Sequence, residues 1–256
     1  MNPTVPEISE FIVPPPERQW PPWGWKDIAL FIGGAIPALG MAAGVTYVVL
    51  GRSGLNKRVP STALTTPAVV AFQVLMYALM ILVLWLIIRV RHDEPFWSSL
   101  RWSFSSSWAW KMIALGPVLA IGLSISGALL GMREGQSEVE DLITGRSAFV
   151  LMTLLGAVFA PAFEEILFRG FLFPVTARTF GPWLGAVVTA LPFGLLHGAQ
   201  NHWAWQPLVL ITLAGLIFGI VRFRTGSTLA AFLLHAAYNT TQFLMFAVAR
   251  WNALTP

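Results

Sequence analysis

The sequence contains no cysteine and few charged residues. The lack of cysteine excludes disulfides, thiolate metal sites and cysteine nucleophiles. Lys, Arg, Asp and Glu together make up 11% of the 256 residues, against roughly 25% in an average soluble domain. A solvated surface cannot be built from so few charges, and hydrophobic residues reach 56%. The composition therefore excludes a soluble enzyme and a disordered chain, and it favours an integral membrane protein.

Basic residues slightly outnumber acidic ones, which gives a formal net charge of +4. In a soluble protein this excess would suggest a polyanionic partner such as nucleic acid. In a membrane protein it is explained by cationic loops that lie beside lipid headgroups. We therefore expect membrane lipid, and no nucleic acid, as a partner.

The sequence also lacks ten-residue segments of alternating hydrophobicity, the pattern of a membrane β-barrel. Seven stretches instead approach the length of about 20 apolar residues that a bilayer-crossing helix needs. We therefore predict an all-α, polytopic integral membrane helical bundle of about seven transmembrane helices, with seven to eight as the range. The predicted spans are residues 27–50, 67–89, 110–131, 147–175, 182–199, 206–222 and 227–249.

The chain divides by composition into three parts of one membrane domain. Residues 1–25 contain seven prolines and three acids, and they have no basic region followed by an apolar one. They are interpreted as a Pro-rich exposed tail and not as a cleaved signal peptide. Residues 26–146 form the N-terminal transmembrane helices, and residues 147–250 form a core that carries the candidate catalytic residues.

Tryptophans and basic residues predict how the helices lie in the membrane. Eleven of the 12 tryptophans fall at or just beyond the end of a predicted span, as in the aromatic belts of membrane proteins. With seven crossings, nine Lys and Arg residues lie on the side of the N-terminus and six on the other side. Because basic residues are enriched in cytoplasmic loops, the N-terminus is predicted to be cytoplasmic.

One predicted span carries charges in its interior, namely Glu164, Glu165 and Arg169. A charge at membrane depth costs several kcal/mol unless it is paired or hydrated, so such residues indicate a functional site. Glu165 and Arg169 are four residues apart, and a buried ion pair would explain both of them. Glu164 points roughly 100° away around the helix and needs a partner of its own.

Two histidines in later spans, His197 and His235, are candidates for that partner. Glu164 lies 17 residues before Gly181 and His197 lies 16 after it, so a hairpin that turns at Gly181 would bring both to a similar depth. Asn239 follows His235 by four residues and lies on the same helical face. Taken singly, each histidine is more simply a packing residue, but together with Glu164 they indicate a site.

Prolines precede two of these residues, Pro161 before Glu164 and Pro192 before His197. Each removes a helical hydrogen bond and would free the carbonyl four residues earlier, at Ala157 and Val188. Freed carbonyls at membrane depth are tolerated where protein or a water-filled cavity satisfies them. The prolines therefore favour a hydrated cavity, although a simple packing kink would explain either one alone.

Two kinds of hydrolytic chemistry fit this set of residues. A carboxylate and a histidine can hold and deprotonate water, while a second histidine and an asparagine donate to an oxyanion. Alternatively, Glu164, His197 and His235 could ligate Zn²⁺ or another divalent metal that carries the water. Both alternatives lead to peptide-bond hydrolysis, one without a cofactor and one with a metal.

Three short motifs in this core resemble a known family. Glu164 to Arg169 match Glu-Glu-x-x-x-Arg, Phe193 to His197 match Phe-x-x-x-His, and His235 to Asn239 match His-x-x-x-Asn. In this order, and over about residues 147–245, the chain resembles the CPBP intramembrane proteases. This group joins type II CAAX prenyl endopeptidases with bacteriocin-processing and abortive-infection-type proteins.

The resemblance implies an intramembrane endopeptidase and a role for each motif residue. Glu164 would be the water-activating base, His197 its partner, and His235 with Asn239 the oxyanion donors. Glu165 and Arg169 would mainly shape the site. The substrate implied is a peptide or protein, with a prenylated C-terminus or a leader peptide as examples.

Two other functions compete with proteolysis. A transporter or proton relay would use Glu164, His197 and His235 to pass ions, but it would spread polar residues along a path across the membrane. A non-catalytic scaffold would bind another transmembrane helix through small residues such as Gly40 and Gly44. The combination of the three motifs favours the protease.

Overall fold

The computed structural model describes residues 20–52, 66–132 and 137–254, and every regular element within these ranges is a helix. The predicted all-α class is therefore confirmed for the described part of the chain. Most of the predicted Pro-rich tail, residues 1–19, lies outside it. The helices are α1 (Trp25–Arg52), α2 (Thr66–Arg91), α3 (Phe96–Ser99), α4 (Ser106–Leu129), α5 (Glu138–Asp141), α6 (Arg146–Phe180), α7 (Pro182–Leu196), α8 (Trp205–Thr225) and α9 (Thr228–Arg250).

Five of these helices, α1, α2, α4, α6 and α8, are long and apolar enough to cross a membrane. They coincide with five of the seven predicted spans, so the chain is a polytopic membrane protein, but a count of seven is not confirmed. The predicted span 182–199 forms α7, which has only 15 residues and is roughly 22 Å long at 1.5 Å per residue, less than a hydrocarbon core of about 30 Å. The predicted span 227–249 forms the 23-residue α9, whose polar residues from His235 to Gln242 lower its hydropathy.

Helix α6 lies at the centre of the bundle. In its most apolar window 44% of the residues are buried, against 22% in α1, 17% in α2 and 22% in α4. The outer helices therefore turn most of their apolar side chains outward, which is the surface that lipid covers. Around α6, α1 packs on α2, α4 packs on α9, and α7 packs on both α8 and the end of α6.

Three residues have positions or surroundings that differ from those predicted from the sequence. His197, predicted inside a helix, lies directly after α7 as its C-cap residue. Arg222, predicted at the start of a loop, is buried in the last turn of α8. Trp23, predicted in the interfacial belt, is fully buried and donates from Nε1 to the Phe171 carbonyl at 2.9 Å. Trp23 and Arg222 are placed by hydrogen bonds to the backbone of α6, and not by local hydropathy.

Helix α6 widens into a π-helix at Leu155–Phe159, where the Ala160 N–H donates to the carbonyl of Leu155. Pro161 would be the next donor in this register, but proline has no N–H. Because π-helix hydrogen bonds span five residues and not four, the carbonyl left without a backbone donor is that of Gly156. The sequence predicted the carbonyl of Ala157, one residue later. Asn239 of α9 donates to the Gly156 carbonyl from Nδ2 at 2.6 Å.

A second π-helix in α6, Ile166–Leu172, repeats this arrangement. The Phe173 N–H donates to the Phe168 carbonyl, and Pro174 cannot donate to the next one, the carbonyl of Arg169. Arg222 donates to it instead, from Nε at 3.2 Å. Each π-helix is thus completed by a polar side chain from a neighbouring helix, which fastens α6 to α9 and to α8.

Gly181 separates α6 from α7 and has a positive φ of 81°, a conformation that glycine adopts at low cost. The chain reverses there, and α7 runs back along the last turns of α6. This is the hairpin expected from the sequence. It returns the chain to the depth of Glu164 by the end of α7.

The contact between α4 and α9 yields a stability prediction. A Cβ on Gly116 would lie within 2.8 Å of atoms of Ala237 and Tyr238, whereas a Cβ on Gly122 of the same helix meets nothing within 4 Å. We expect Gly116→Ala to destabilise the fold by about 1–3 kcal/mol through overpacking. Gly122→Ala should leave the thermal unfolding midpoint in detergent unchanged or raise it slightly. Equal midpoints for the two variants would contradict the packing of α4 on α9.

Candidate active site

The candidate site is built on a buried ion pair between Glu165 and Arg169 of α6. Arg169 Nη1 donates to Glu165 Oε1 at 2.9 Å, and both side chains are fully buried. Arg169 Nη2 donates to the Gly215 carbonyl of α8 at 2.5 Å. The guanidinium also lies 4.6 Å from the ring centroid of Phe193 on α7. The pair is therefore a fixed cross-link between α6 and its neighbours.

His235 connects α9 to the same carboxylate. Its Nδ1 lies 2.8 Å from Glu165 Oε1, and its ring stacks on Phe218 with the centroids 4.4 Å apart. Glu165 Oε1 is a carboxylate oxygen that also accepts from Arg169, so the hydrogen of this contact is assigned to Nδ1 of His235, which donates it. The imidazole is thereby held in one orientation, with Nε2 directed towards Glu164.

Glu164 lies between the two histidines. Its Oε1 is 3.9 Å from His197 Nε2, and its Oε2 is 3.8 Å from His235 Nε2. These separations are too long for direct hydrogen bonds, and a bridging water fits between such groups. The Glu164 side chain is 15% exposed, whereas that of Glu165 is 0% exposed. Of the two adjacent carboxylates, Glu164 is the one that a small molecule can reach.

His197 is positioned by the end of α7. Its Nδ1 lies 2.7 Å from the Phe193 carbonyl, and since a carbonyl only accepts, Nδ1 must carry hydrogen. The Nε2 atom of the neutral ring therefore presents a lone pair to Glu164. Asn201 holds the backbone of the same turn by donating from Nδ2 to the His197 carbonyl at 2.8 Å.

Five of the six candidate residues form one connected cluster: Glu164, Glu165, Arg169, His197 and His235. Asn239, the sixth, lies one turn after His235 on α9 and is attached to α6 through the Gly156 carbonyl. One of its two N–H groups is thus engaged, and the other remains for a ligand.

Residues 146–241 match the family model described as type II CAAX prenyl endopeptidase Rce1-like. This segment is similar to the Rce1-like family. The resemblance to CPBP proteases is thereby confirmed, and all six candidate residues lie within the matched range.

The chain also resembles an uncharacterized 24.3 kDa protein of Escherichia coli, with 36% identity over 94 residues. The aligned part covers 36% of this chain and 42% of the relative, so the chain spans less than half of that protein. No solved structure matches the chain.

Three residues beside the candidate site were not predicted from the sequence. Gly215 and Phe218 of α8 contact Arg169 and His235, and glycine and phenylalanine are too common in membrane helices to be singled out. Tyr77 of α2 stacks on Phe163 with the centroids 4.4 Å apart. A polar pair at four-residue spacing, Gln73 and Tyr77, was a usable signal within an otherwise apolar helix.

The donor set was also tested as a metal site. Each histidine donates Nδ1–H to an oxygen and directs Nε2 to Glu164, as histidine ligands of metals do. The N···O separations of 3.8 and 3.9 Å, however, exceed the about 3.3 Å between two ligands of one tetrahedral zinc. Within the described residues no group of three His, Asp or Glu side chains could hold a metal ion. The side chains as arranged do not fit a metal centre.

The two adjacent carboxylates should differ sharply in their effect on stability. Glu165→Gln leaves the charge of Arg169 buried without a counter-charge, and we expect a loss of about 3–5 kcal/mol. Glu164→Gln changes a partly exposed carboxylate whose contacts to the two histidines are 3.8 and 3.9 Å long, and it serves as the matched control. The measurement is thermal unfolding in detergent. A Glu165→Gln midpoint as high as that of Glu164→Gln would show that the ion pair does not stabilise the fold.

Proposed function

We propose that the chain is an intramembrane endopeptidase of the CAAX type, in which Glu164 and His197 activate a water molecule. The observation that carries this proposal is the 3.9 Å gap between Glu164 Oε1 and His197 Nε2. A carboxylate oxygen and an imidazole lone pair are both acceptors, and a single water can donate one O–H to each. Such a water is held with its oxygen lone pairs directed away from the two acceptors, as a nucleophile requires.

In the proposed reaction Glu164 takes a proton from this water as its oxygen attacks the peptide carbonyl carbon. The new C–O bond forms, and the carbonyl π electrons move to the oxygen, which becomes an oxyanion. When the tetrahedral intermediate collapses, the C–N bond breaks and the leaving nitrogen takes the proton from Glu164. The products are a carboxylic acid and an amine, and Glu164 returns to its initial state.

His235 and Asn239 are proposed to stabilise the oxyanion. Protonated His235 donates from Nε2 while Nδ1 still donates to Glu165. Asn239 offers its second N–H, because the first is held by the Gly156 carbonyl.

The depth of Glu164 supports a membrane-associated substrate. Glu164 lies 18 residues after Arg146 and 16 before Phe180, which is roughly 27 Å and 24 Å from the two ends of α6 at 1.5 Å per residue. The scissile bond must therefore enter the apolar layer. A prenylated C-terminus or an apolar leader peptide can do this, because its lipid or side chains stabilise it there. We propose further that the N-terminus is cytoplasmic.

Loss of the base should abolish cleavage. In liposomes that contain the purified protein and a library of apolar and prenylated peptides, we expect Glu164→Gln and His197→Ala each to lower kcat/KM by at least about 100-fold. His202→Ala, which changes the histidine of the neighbouring loop, is the control and should retain activity. Wild-type rates in Glu164→Gln would disprove the assignment. Ion flux that depends on Glu164, without any cleavage, would favour a transporter.

Chelation tests the proposed metal-free chemistry. Because the histidine and carboxylate atoms lie too far apart for ligands of one ion, we expect cleavage to survive prolonged treatment with EDTA and dialysis. Metal analysis of the active protein should find less than one equivalent of zinc. Activity that is lost on chelation and restored by added Zn²⁺ would replace the metal-free scheme with a metal-bound water.

A further inference from the structure

Helix α2 lies outside the Rce1-like segment, yet it brings a phenol to the candidate site. Tyr77 stacks on Phe163, with the ring centroids 4.4 Å apart and the planes 18° from parallel. Phe163 immediately precedes Glu164 on α6. Helix α2 packs against the segment Ala160–Glu165 of α6, which contains Glu164. The phenol therefore forms part of the surroundings of the reacting carboxylate.

The hydroxyl of Tyr77 is oriented as a donor. Gln73, one turn earlier on α2, donates from Nε2 to the Tyr77 oxygen at 2.8 Å. A phenol can donate one hydrogen and accept others. Since the Tyr77 oxygen already accepts a hydrogen bond from Gln73, its O–H can donate to a group that enters the site.

The proposed reaction needs such a donor. An oxyanion is stabilised by several preorganised donors, but those of the Rce1-like segment are partly engaged. His235 directs Nδ1–H to Glu165, and Asn239 directs one N–H to Gly156. One N–H remains on Asn239, and one on His235 when it is protonated.

We propose that Tyr77 is a further catalytic residue, whose O–H donates a hydrogen bond to the substrate carbonyl oxygen as it becomes an oxyanion. This inference rests on the proposed peptidase function. Tyr77 keeps its proton throughout, so no bond to its oxygen is made or broken. Part of the catalytic site is then supplied by a helix of the N-terminal region, beyond residues 146–241.

Tyr77→Phe isolates the hydroxyl, because the ring that stacks on Phe163 is kept. We expect kcat to fall about 100-fold, the order found when one oxyanion donor is removed. KM and the thermal unfolding midpoint should stay unchanged, since the donor acts in the transition state and not in the fold. A rise in KM at constant kcat, or a large fall of the midpoint, would overturn the proposal.

Tyr238→Phe is the matched control. Tyr238 is also a partly buried tyrosine whose oxygen accepts from a glutamine four residues away, Gln242, at 3.4 Å. Its ring packs near Phe218, and it lies on α9 and not on α2. We expect wild-type activity from this variant. An equal loss in Tyr77→Phe and Tyr238→Phe would count against a specific role for Tyr77.

Comparison with Glu164→Gln separates the two proposals. If Glu164→Gln is inactive and Tyr77→Phe has wild-type kcat, the role of Tyr77 is refuted and the peptidase proposal stands. If Glu164→Gln retains wild-type cleavage, the proposed mechanism fails and the inference fails with it. A wild-type protein that cleaves no peptide in the library would overturn both.

Discussion

The apolar interior of a membrane offers no water to buried charges, and the Glu165–Arg169 ion pair meets this constraint for the whole site. The pair is fully buried, and each partner contacts a second helix: Arg169 donates to Gly215 on α8, and Glu165 accepts from His235 on α9. One salt bridge therefore holds three helices together. The geometry of the candidate site is fixed by the interaction that makes the charges tolerable at that depth.

The lack of water in the apolar layer also explains why side chains donate hydrogen bonds to the backbone of α6. Proline follows each π-helix of α6 and leaves one carbonyl without a backbone donor, and a side chain from another helix supplies the hydrogen bond. Asn239 does so for Gly156, and Arg222 does so for Arg169. Unsatisfied carbonyls are expensive in an apolar medium, so these contacts stabilise the packing of α6. One N–H of Asn239 thus stabilises the packing of α9 on α6, and its second N–H is the one proposed to donate to the oxyanion.

Two adjacent glutamates acquire different roles because neighbouring helical residues point about 100° apart. Glu165 points towards Arg169 and becomes structural, whereas Glu164 points towards the partly open space between His197 and His235. The histidines are themselves held by acceptors on their Nδ1 atoms, the Phe193 carbonyl and Glu165. The rigid pair thus supports a reactive carboxylate one residue away.

The sequence by itself determined the all-helical membrane class, the placement of charge on one helix, and the cluster around Glu164, because hydropathy, charge cost and motif spacing are local properties. The hairpin at Gly181 also followed from local residue counts. Only the tertiary structure decided which side chains complete the backbone of α6, that His197 ends α7, and that Tyr77 stacks on Phe163. These features depend on contacts between residues as far apart as Gly156 and Asn239, and side-chain hydrogen bonds across helices leave no periodic signal in a single chain.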